Sequence, residues 1–500
     1  MSESSRSLFD RLVSRVQAAL PTGQPVYLVG GSVRDLLIGQ PARDLDFVLA
    51  GEALSVSRKV ANELGGAYYP LDAEREAGRV ILVDIGGERC VLDFTTVRGP
   101  DLESDLRARD FTINAMALDL NDLETLIDPL GGASDLKARI LRPCSPSAIQ
   151  DDPLRSVRGI RLATKFKLNL LPETNRQIRQ AAQLLPCVSA ERLRDELFHI
   201  LEGPQTAIAI RLLDTMGLLS YILPELADLH AVTQSPPHIS NVWEHTLDGL
   251  QKLDGVLGVL AMEYDPDSAN SWALGLLSVR LGRYRQQIHS HMCSQLNPER
   301  SLRALLFLAG LYHDSGKPAV RQDDSSGRVR FLEHEIFSAK IASERARQLH
   351  LSNDEIERLS AIVRYHMRPL ALAQSGVTPS PRAIYRYFRD AGLAGVEIVL
   401  FSLADTLATY GPTLPQSVWI AQLEVARALL EAWWDHNQES VAPPLLVNGY
   451  DLMDALSLQP GPEVGRLLDL IREAQVAGQV RDREQALELA HDEVQPSLAK

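Results

Sequence analysis

Asp44 and Asp46, two apart in Arg43-Asp44-Leu45-Asp46-Phe47-Val48, are the first residues whose type and spacing could do chemistry. In a strand a spacing of two puts both carboxylates on one face, where they could share a divalent metal. A D-x-D triplet also occurs in exposed turns, so its surroundings decide. Fourteen residues before Asp44 an apolar run ends in Gly30-Gly31-Ser32. The segment that follows predicts a short helix from Val33 to Ile38, with Asp35 as capping-box partner of Ser32 and Gly39 as its stop. A strand, two glycines and a helix start can cradle an anion, because open N–H groups bind phosphate and glycine lets it approach. An ordinary tight turn is the alternative for an isolated Gly-Gly. The carboxylates nearby favour the joint reading, since phosphoryl transfer needs a triphosphate and metals within mutual reach.

A second set lies far downstream. His245, the adjacent His313-Asp314, and Asp405 all fall in predicted helices. Asp405 ends the apolar run Val399-Leu400-Phe401-Ser402-Leu403-Ala404, where an unpaired charge is costly and a metal would satisfy it. Imidazole and carboxylate ligands suit hydrolytic transition-metal centres, although a single histidine is more often a surface or capping residue.

The elements that must position these groups change character along the chain. With 500 residues, 45% of them hydrophobic, three or four domains are expected. Val26–Val29, Leu45–Leu49, Val80–Val83, Val91–Phe94 and Ala115–Leu120 are short apolar runs that predict strands of an α/β head. After Arg142-Pro143 the pattern turns to helical periodicity, as in Glu191–Leu201 and Ala207–Leu219. Joints are expected at Pro143–Pro146, Thr233–Pro237, Tyr264–Asn270 and Val441–Pro444. No run reaches bilayer length and the first twenty residues lack an apolar signal core, which predicts a soluble cytoplasmic protein that is not exported. Cys90, Cys144, Cys187 and Cys293 are dispersed and suggest neither a zinc ribbon nor a disulfide framework. The net charge of −14 opposes nucleic-acid binding, but Arg155 to Arg194 holds nine Lys/Arg against Glu173 and Glu191. That stretch reads either as an RNA-binding patch or as a solvated helix face.

Leu28-Val29-Gly30-Gly31-Ser32-Val33-Arg34-Asp35-Leu36-Leu37 with Arg43-Asp44-Leu45-Asp46 resembles the first motif of the class II CCA-adding enzyme and bacterial poly(A) polymerase family. Arg109-Asp110-Phe111-Thr112-Ile113-Asn114-Ala115 resembles the second, and Asp128-Pro129-Leu130-Gly131-Gly132 the third. Asp151-Asp152-Pro153-Leu154-Arg155-Ser156-Val157-Arg158 resembles the fourth, and Glu191-Arg192-Leu193-Arg194-Asp195 the fifth. The resemblance implies a multidomain α+β chain: a nucleotidyltransferase head with a small mixed sheet (1–141), an all-α neck and body (142–232), a helical HD domain (233–440) and a helical tail (441–500). It implies that Gly30, Gly31, Ser32, Arg34 and Arg109 meet the nucleotide phosphates or support them, and that Asp110 and Asn114 hold the ribose. Asp152 and Arg155, assisted by Arg158, would read the incoming base. On a helix, residues three apart share a face, and one acceptor beside a fork of donors can accept cytosine and adenine while rejecting uracil and guanine. A surface salt bridge is the plainer reading of that pair.

The reaction implied is attack by the tRNA terminal 3′-hydroxyl on the α-phosphate of CTP or ATP, with two Mg²⁺ ions about 3.5–4 Å apart on Asp44 and Asp46. Asp93, inside an apolar run, reads equally as a third carboxylate or a salt-bridged strand residue and stays outside the catalytic set. The chain departs from the family in one place. Thr95 to Ser104 is only ten residues, shorter than the flexible stretch that family members use to switch from C to A addition. The expectation is therefore a CC-adding enzyme whose terminal A comes from a separate A-adding partner.

Val242-Trp243-Glu244-His245, His313-Asp314-Ser315-Gly316-Lys317-Pro318, Phe331-Leu332-Glu333-His334-Glu335, Arg364-Tyr365-His366 and Ala404-Asp405 resemble the HD phosphohydrolase domain attached to some CCA-adding enzymes. By that resemblance His245, His313, Asp314 and Asp405 are metal ligands, and His334 and His366 serve a second metal or contact phosphate. Ser315 replaces a usually aliphatic residue. The implied activity is on phosphorylated nucleotides or RNA ends. Two rival readings are a poly(A) polymerase and an HD phosphohydrolase whose head only binds nucleotide or RNA; intact Asp44 and Asp46 speak against the latter.

Overall fold

The computed structural model describes residues 3–498 except 22, 41–43, 75, 84–88, 264–265, 299 and 377. Arg43 of the first motif and the start of the expected Tyr264–Asn270 joint lie outside the described residues. The chain forms two compact units, Met1–Arg192 with Leu212–Tyr221, and Leu193–Arg211 with Ile222–Lys500.

The first unit begins with α1 (Glu3–Ala19), β1 (Val26–Val29), α2 (Gly31–Leu37), β2 (Asp44–Leu49), α3 (Ala53–Leu64) and β3 (Ala67–Asp72). It continues through β4 (Ala77–Val83), β5 (Arg89–Thr96), α4 (Leu102–Arg107), β6 (Ala117–Asp119), β7 (Asp122–Ile127) and α5 (Gly132–Ala138). Two helices that matter for the site follow, α6 (Ala148–Asp151) and α7 (Leu154–Lys165). One seven-stranded sheet runs β3-β4-β5-β2-β1-β6-β7. Its centre pairs β2 parallel to β5 and antiparallel to β1, so the carboxylate strand is held from both sides.

Period-two alternation on β2 decides where its side chains go. Leu45, Phe47 and Leu49 enter a core with Phe9 and Val16 of α1 and Val56 and Val60 of α3. Phe47 stacks on its in-register neighbour Phe94 with ring centroids 4.8 Å apart. Burial of that apolar row fixes the register and sends Asp44, Asp46 and Val48 to the opposite face. Val48 closes a smaller cluster there with Val29, Leu106, Ala115 and Ala117. The aspartates remain at its open end.

The interior strands agree with the apolar runs, whereas β3 and β7 were not expected. Both are edge strands with mostly exposed or half-buried side chains, so they carry no apolar run. The expected capping box on α2 is absent. The helix starts at Gly31 with Gly30 as N-cap and no side-chain cap. Ser32 therefore sits inside the first turn, and Asp35 accepts a hydrogen bond from Arg34 Nε at 2.8 Å instead.

The second unit is mainly helical. Its longer helices include Val242–Val259, Leu302–Tyr312, His334–Gln348, Asn353–Tyr365, Gly395–Tyr410 and Gln416–Trp434. The nearly all-helical expectation is amended by two short antiparallel strand pairs, Gln295–Asn297 with Arg300–Ser301 and the hairpin Arg321–Asp323 with Val329–Phe331. The tail helices Gly449–Leu456, Pro462–Val476 and Arg483–Leu498 enclose a small core of their own around Leu452, Leu467 and Ile471. Glu473 ties them to helix Pro381–Ala391 by accepting from Arg386 Nε at 2.8 Å and Nη2 at 2.5 Å. The helical run Pro381–Thr413 has the length and apolarity of a membrane span, but 83% of its apolar window is buried within the protein, as befits a core helix. The four cysteines are free.

The closest backbone approach near the second histidine set is at Gly316. A Cβ there would lie 2.4 Å from His334 O and 2.7 Å from Ser338 N. Gly316→Ala is expected to destabilise this unit by about 1–3 kcal/mol through overpacking, read as a lowered melting temperature by differential scanning calorimetry; an unchanged melting curve would show that the contact has slack.

Two candidate active sites

In the head, Ser32 joins the glycine turn to the carboxylate strand. Its buried hydroxyl donates to Asp44 O at 2.9 Å and accepts from Asp46 N–H at 3.1 Å. Ser32 thus fixes the β2 backbone rather than turning its side chain to a ligand. Gly30 has φ +74°, and a Cβ there would lie 3.3 Å from Asp46 Oδ2 and 3.0 Å from Arg109 Nη1. Only glycine allows the turn to press against the carboxylate in that conformation. The turn and the aspartates, joined in the sequence reading by proximity alone, are in contact.

The carboxylates crowd one another. Asp46 pairs in register with Asp93, and Arg79 grips Asp93 through Nε at 2.8 Å and Nη2 at 2.9 Å. Asp93 is therefore both things the sequence left open, a third carboxylate on the aspartate face and a salt-bridged strand residue. The Asp46 carboxyl is pushed up to about 6 by the protein packed around it, with Asp93 and Asp44 adding to the rise and Arg109 opposing it. It still opens to solvent. A carboxylate whose neighbours are carboxylates is short of positive charge, which is the condition a divalent cation relieves, and the pair fits such an ion.

The second motif forms a chain of hydrogen bonds. Arg34 Nη1 donates to Asn114 Oδ1 at 2.6 Å, Asn114 Nδ2 to Asp110 Oδ1 at 3.1 Å, and Arg158 Nη1 to Asp110 Oδ2 at 3.2 Å. Burial works against ionised Asp110, yet Arg158, the Phe111 N–H and Asn114 together hold its carboxyl below the usual range. Arg34 is buried, pairs with Asp35 at 2.7 Å and lies 4.3 Å over the Phe166 ring. Arg109 Nε donates to Asp105 Oδ2 at 3.1 Å.

The fourth motif departs from the expected geometry. Asp152 and Arg155 do not share a helix face, because Asp152 lies outside α7 at φ −141°, ψ 97°. Pro153 follows it, and the residue before proline is driven out of the helical region. Asp152 Oδ2 instead accepts from Arg192 Nη2 at 2.7 Å. Arg155 donates to the carbonyls of Ala108 (3.0 Å), Arg109 (3.1 Å) and Ala148 (3.2 Å). The basic stretch is likewise partly spent, since Arg158, Arg176 and Arg192 each meet a carboxylate. Lys165 is different: burial lowers its amine, and the charges of Asp35 and Asp44 act against that fall. It stands in the field of the carboxylate site, a role that its place in a run of basic residues did not reveal.

In the second unit the four expected ligands, His245, His313, Asp314 and Asp405, lie together with His334 and His366, expected to serve a second metal or contact phosphate. His245 Nε2 is 3.0 Å from Asp405 Oδ1 and 3.6 Å from Asp314 Oδ2. His313 Nε2 is 3.1 Å from Asp314 Oδ2, and His334 Nε2 is 3.2 Å from Asp314 Oδ1. Ligand atoms of His245, His313 and Asp314 lie within 4.8 Å of one another, as do those of Asp314, His334 and His366. Asp314 is common to both groups. His313, His334 and His366 each place Nδ1 at 2.7–2.8 Å from the carbonyl three residues earlier, those of Gly310, Phe331 and Val363. Nδ1 therefore carries a proton in each ring and Nε2 faces inward, the orientation that metal ligation needs. His366 is driven down to about 3, by burial first and His313 next, and so stays neutral. His334 Nε2 is buried without a hydrogen-bond partner, and the donor set fits a metal. Ser315, the substituted motif position, turns its hydroxyl to Tyr312 O at 2.8 Å and leaves the ligands undisturbed.

Three lining residues escaped the sequence reading. Lys317 Nζ is 2.6 Å from Asp314 Oδ2; its place three residues after Asp314 on a helix start was the available signal. His238, 5.1 Å from the His245 ring, is pushed down to about 4, mainly by burial. Arg328 comes from the unforeseen hairpin. All three border a cavity of about 470 Å³ that opens onto the ligand set.

Comparison with known proteins matches this order of parts. Residues 26–142 match the poly A polymerase head domain, 167–229 the probable RNA and SrmB-binding site of polymerase A, 271–409 the HD domain and 418–490 a tRNA nucleotidyltransferase domain 2. The HD match begins beyond His245, which the motif resemblance and its closeness to His313 and Asp314 group with the other histidines. An A-adding tRNA nucleotidyltransferase of Deinococcus radiodurans is 33% identical, covering 92% of this chain and 93% of its own. A CC-adding tRNA nucleotidyltransferase of Thermus thermophilus is also 33% identical, covering 93% of each. The fold is shared with a CCA-adding enzyme solved with CTP, at a TM-score of 0.58 and 22% identity over 100% of this chain and 97% of that one. Likeness of this extent, carried through both chains almost from end to end, places the protein in the tRNA nucleotidyltransferase family.

Proposed function

We propose that the head of this chain adds two cytidines to the tRNA 3′ end from CTP and leaves the terminal adenosine to another enzyme. The observation that supports transfer chemistry is the contact of the Gly30 turn with the Asp44 and Asp46 face of β2. Asp44 and Asp46 are assigned as ligands of Mg²⁺, whose preference for hard oxygen donors they meet. When bound there, such ions lower the pKa of the attacking hydroxyl and neutralise the departing pyrophosphate. Gly30 and Gly31 leave room for a triphosphate beside Asp46, with Arg109 and Lys165 offering positive charge along its path. Asp110 and Asn114 hold the ribose, oriented by Arg34 and Arg158. Asp152 and Arg155, on either side of Pro153, are kept as the base-reading residues; Arg155 already hangs on the carbonyls next to Asp110, which puts it beside the ribose end of the site.

The choice of CC over A rests on one connection. Five residues, Val97–Asp101, join β5 to α4, and Asp101 caps α4 by accepting from Ser104 N–H at 2.8 Å. No room remains for the long flexible stretch associated with A addition. In the second unit the mixed His and Asp set is assigned to a divalent transition metal and to hydrolysis of phosphate esters. The head at 1–141, body at 142–232, HD domain at 233–440 and tail at 441–500 are the functional division that follows. Free cysteines fit a reducing cytoplasm.

Purified protein incubated with tRNA lacking its 3′ CCA, and in parallel with tRNA ending in CC, is expected to yield CC ends from CTP and no extension from ATP when the products are sequenced. A complete CCA end, adenosine added to the CC substrate, or a poly(A) tail would each overturn the assignment. Asp46→Ala should reduce nucleotide addition below about a hundredth of wild type while sparing phosphate-ester hydrolysis, and His313→Ala should do the converse; loss of both activities in either variant would contradict two separate centres. Asp46 also predicts a pH effect on stability. Its folded pKa of about 6 lies above the ordinary 3.8, so the metal-free protein is favoured while Asp46 stays protonated and loses that contribution as pH rises from about 4 through 6. Asp46→Asn should therefore stabilise the metal-free protein at pH 7 by on the order of 1 kcal/mol, after allowance for solvent screening, and by little at pH 4. Equal melting shifts at the two pH values would refute it.

A further inference from the structure

The hairpin Arg321–Asp323/Val329–Phe331 is neither a metal-binding element nor a simple connection. Its strands pair Arg321 with Phe331, Gln322 with Arg330 and Asp323 with Val329. Its turn is closed by Asp324, whose Oδ1 accepts from the N–H groups of Ser326 at 2.9 Å and Arg328 at 3.0 Å, with Gly327 at φ +77°. Both ends are anchored at the second site. Val329 N–H donates to Ser235 Oγ at 2.8 Å, on the segment that carries His238. Phe331 O accepts from His334 Nδ1 at 2.8 Å and so sets the orientation of one ligand. Hairpin and ligand set are one construction.

Charge singles out one hairpin residue. Three cationic side chains border the cavity, Lys317, Arg328 and Arg330. Lys317 is engaged by Asp314 at 2.6 Å and donates to Gln234 Oε1 at 2.6 Å. Arg330 meets Asp324 at 3.3 Å. Arg328 has no acidic partner among the described residues, and this exposed residue lines the same cavity as His245, Asp314, His334, His366 and Asp405. A guanidinium presents planar paired donors that match phosphoryl oxygens. Ions held by the ligand set would engage the oxygens on one side of a phosphate and leave others facing the hairpin.

Resting on the phosphohydrolase reading of the second site, we propose that Arg328 is the substrate-gripping residue of that site: it binds the phosphoryl oxygens of an incoming phosphate ester from the hairpin side, and the hairpin is the arm that presents it. Phosphate enters between Arg328 and the ligand set, and the apolar walls formed by Pro237, Phe331 and Leu370 receive the remainder of the ester.

The test uses the full chain supplied with Mn²⁺. Hydrolysis of p-nitrophenyl phosphate is followed together with calorimetric titration by inorganic phosphate, for wild type, Arg328→Ala, Arg328→Lys and, as a hairpin control, Arg321→Ala. Arg328→Ala is expected to raise KM about tenfold or more at nearly unchanged kcat and to weaken phosphate binding by the same factor. Arg328→Lys should restore part of the loss, and Arg321→Ala should behave as wild type. Hydrolysis with KM and phosphate affinity unaltered in Arg328→Ala overturns the proposal and leaves the phosphohydrolase reading standing. Phosphate binding that depends on Arg328 in a protein that hydrolyses nothing upholds the grip and overturns the hydrolase reading. A fall in kcat with unchanged KM, or an equal loss in Arg321→Ala, overturns the proposal by showing that the hairpin acts only by holding His334. Neither binding nor hydrolysis overturns both.

Discussion

Repulsion among carboxylates at the open end of β2 is the interaction around which the head is built. Asp44, Asp46 and Asp93 share one face because the opposite faces of β2 and β5 carry Leu45, Phe47, Leu92 and Phe94 into the core. Those apolar residues fix the register, and a slip of one position would bury the acids and expose the core. Arg79 settles Asp93 by a two-pronged ion pair, and Arg109 acts partly on Asp46. What is left is a strand end whose excess negative charge is tolerated only because a rigid sheet enforces it. Strain of this kind is maintained by the surrounding fold and is characteristic of working sites.

The second unit meets the same problem by different means. Its ligands are buried on several helices, where an unpaired charge would cost far more than on a sheet face. Imidazoles carry most of the set, and backbone carbonyls at the three-residue spacing fix the orientation of three of them without adding charge. Asp314, shared by both groups, bears the central negative charge, and Lys317 lies 2.6 Å from it. The head thus relies on strand alternation and two flanking arginines, the helical unit on imidazoles and the carbonyls that orient them.

Legibility in the sequence followed burial. Interior strands could be read as apolar runs in a polar chain and Asp405 as a charge inside one, whereas His334 and His366, in polar surroundings, were legible only through the motif resemblance. Edge strands β3 and β7 could not, since a half-exposed strand needs no apolar signature. Ser32 and Gly30 were legible as a turn, but the use of the Ser32 hydroxyl as a clamp on β2 depends on a contact fourteen residues away along the chain. Asp152 and Arg155 show a local signal that was present and outweighed: Pro153 already forbade the shared helix face that their spacing suggested. Arg328 was hidden because the hairpin has three-residue strands of mixed polarity.

The acidity of the chain becomes intelligible when its cations are followed to their partners. Net charge of −14 repels a polyanion at long range, so a phosphate-bearing substrate is attracted only where local positive charge survives pairing. Arg158, Arg176 and Arg192 are consumed by carboxylates and contribute little field. Lys165 acts on Asp44, Arg109 reaches Asp46 while it also pairs with Asp105, and Arg328 lines the cavity that holds the histidine set. The acidic surface works by charge alone against association with RNA. Selectivity in such a protein comes less from the number of basic residues than from which of them the fold leaves unpaired.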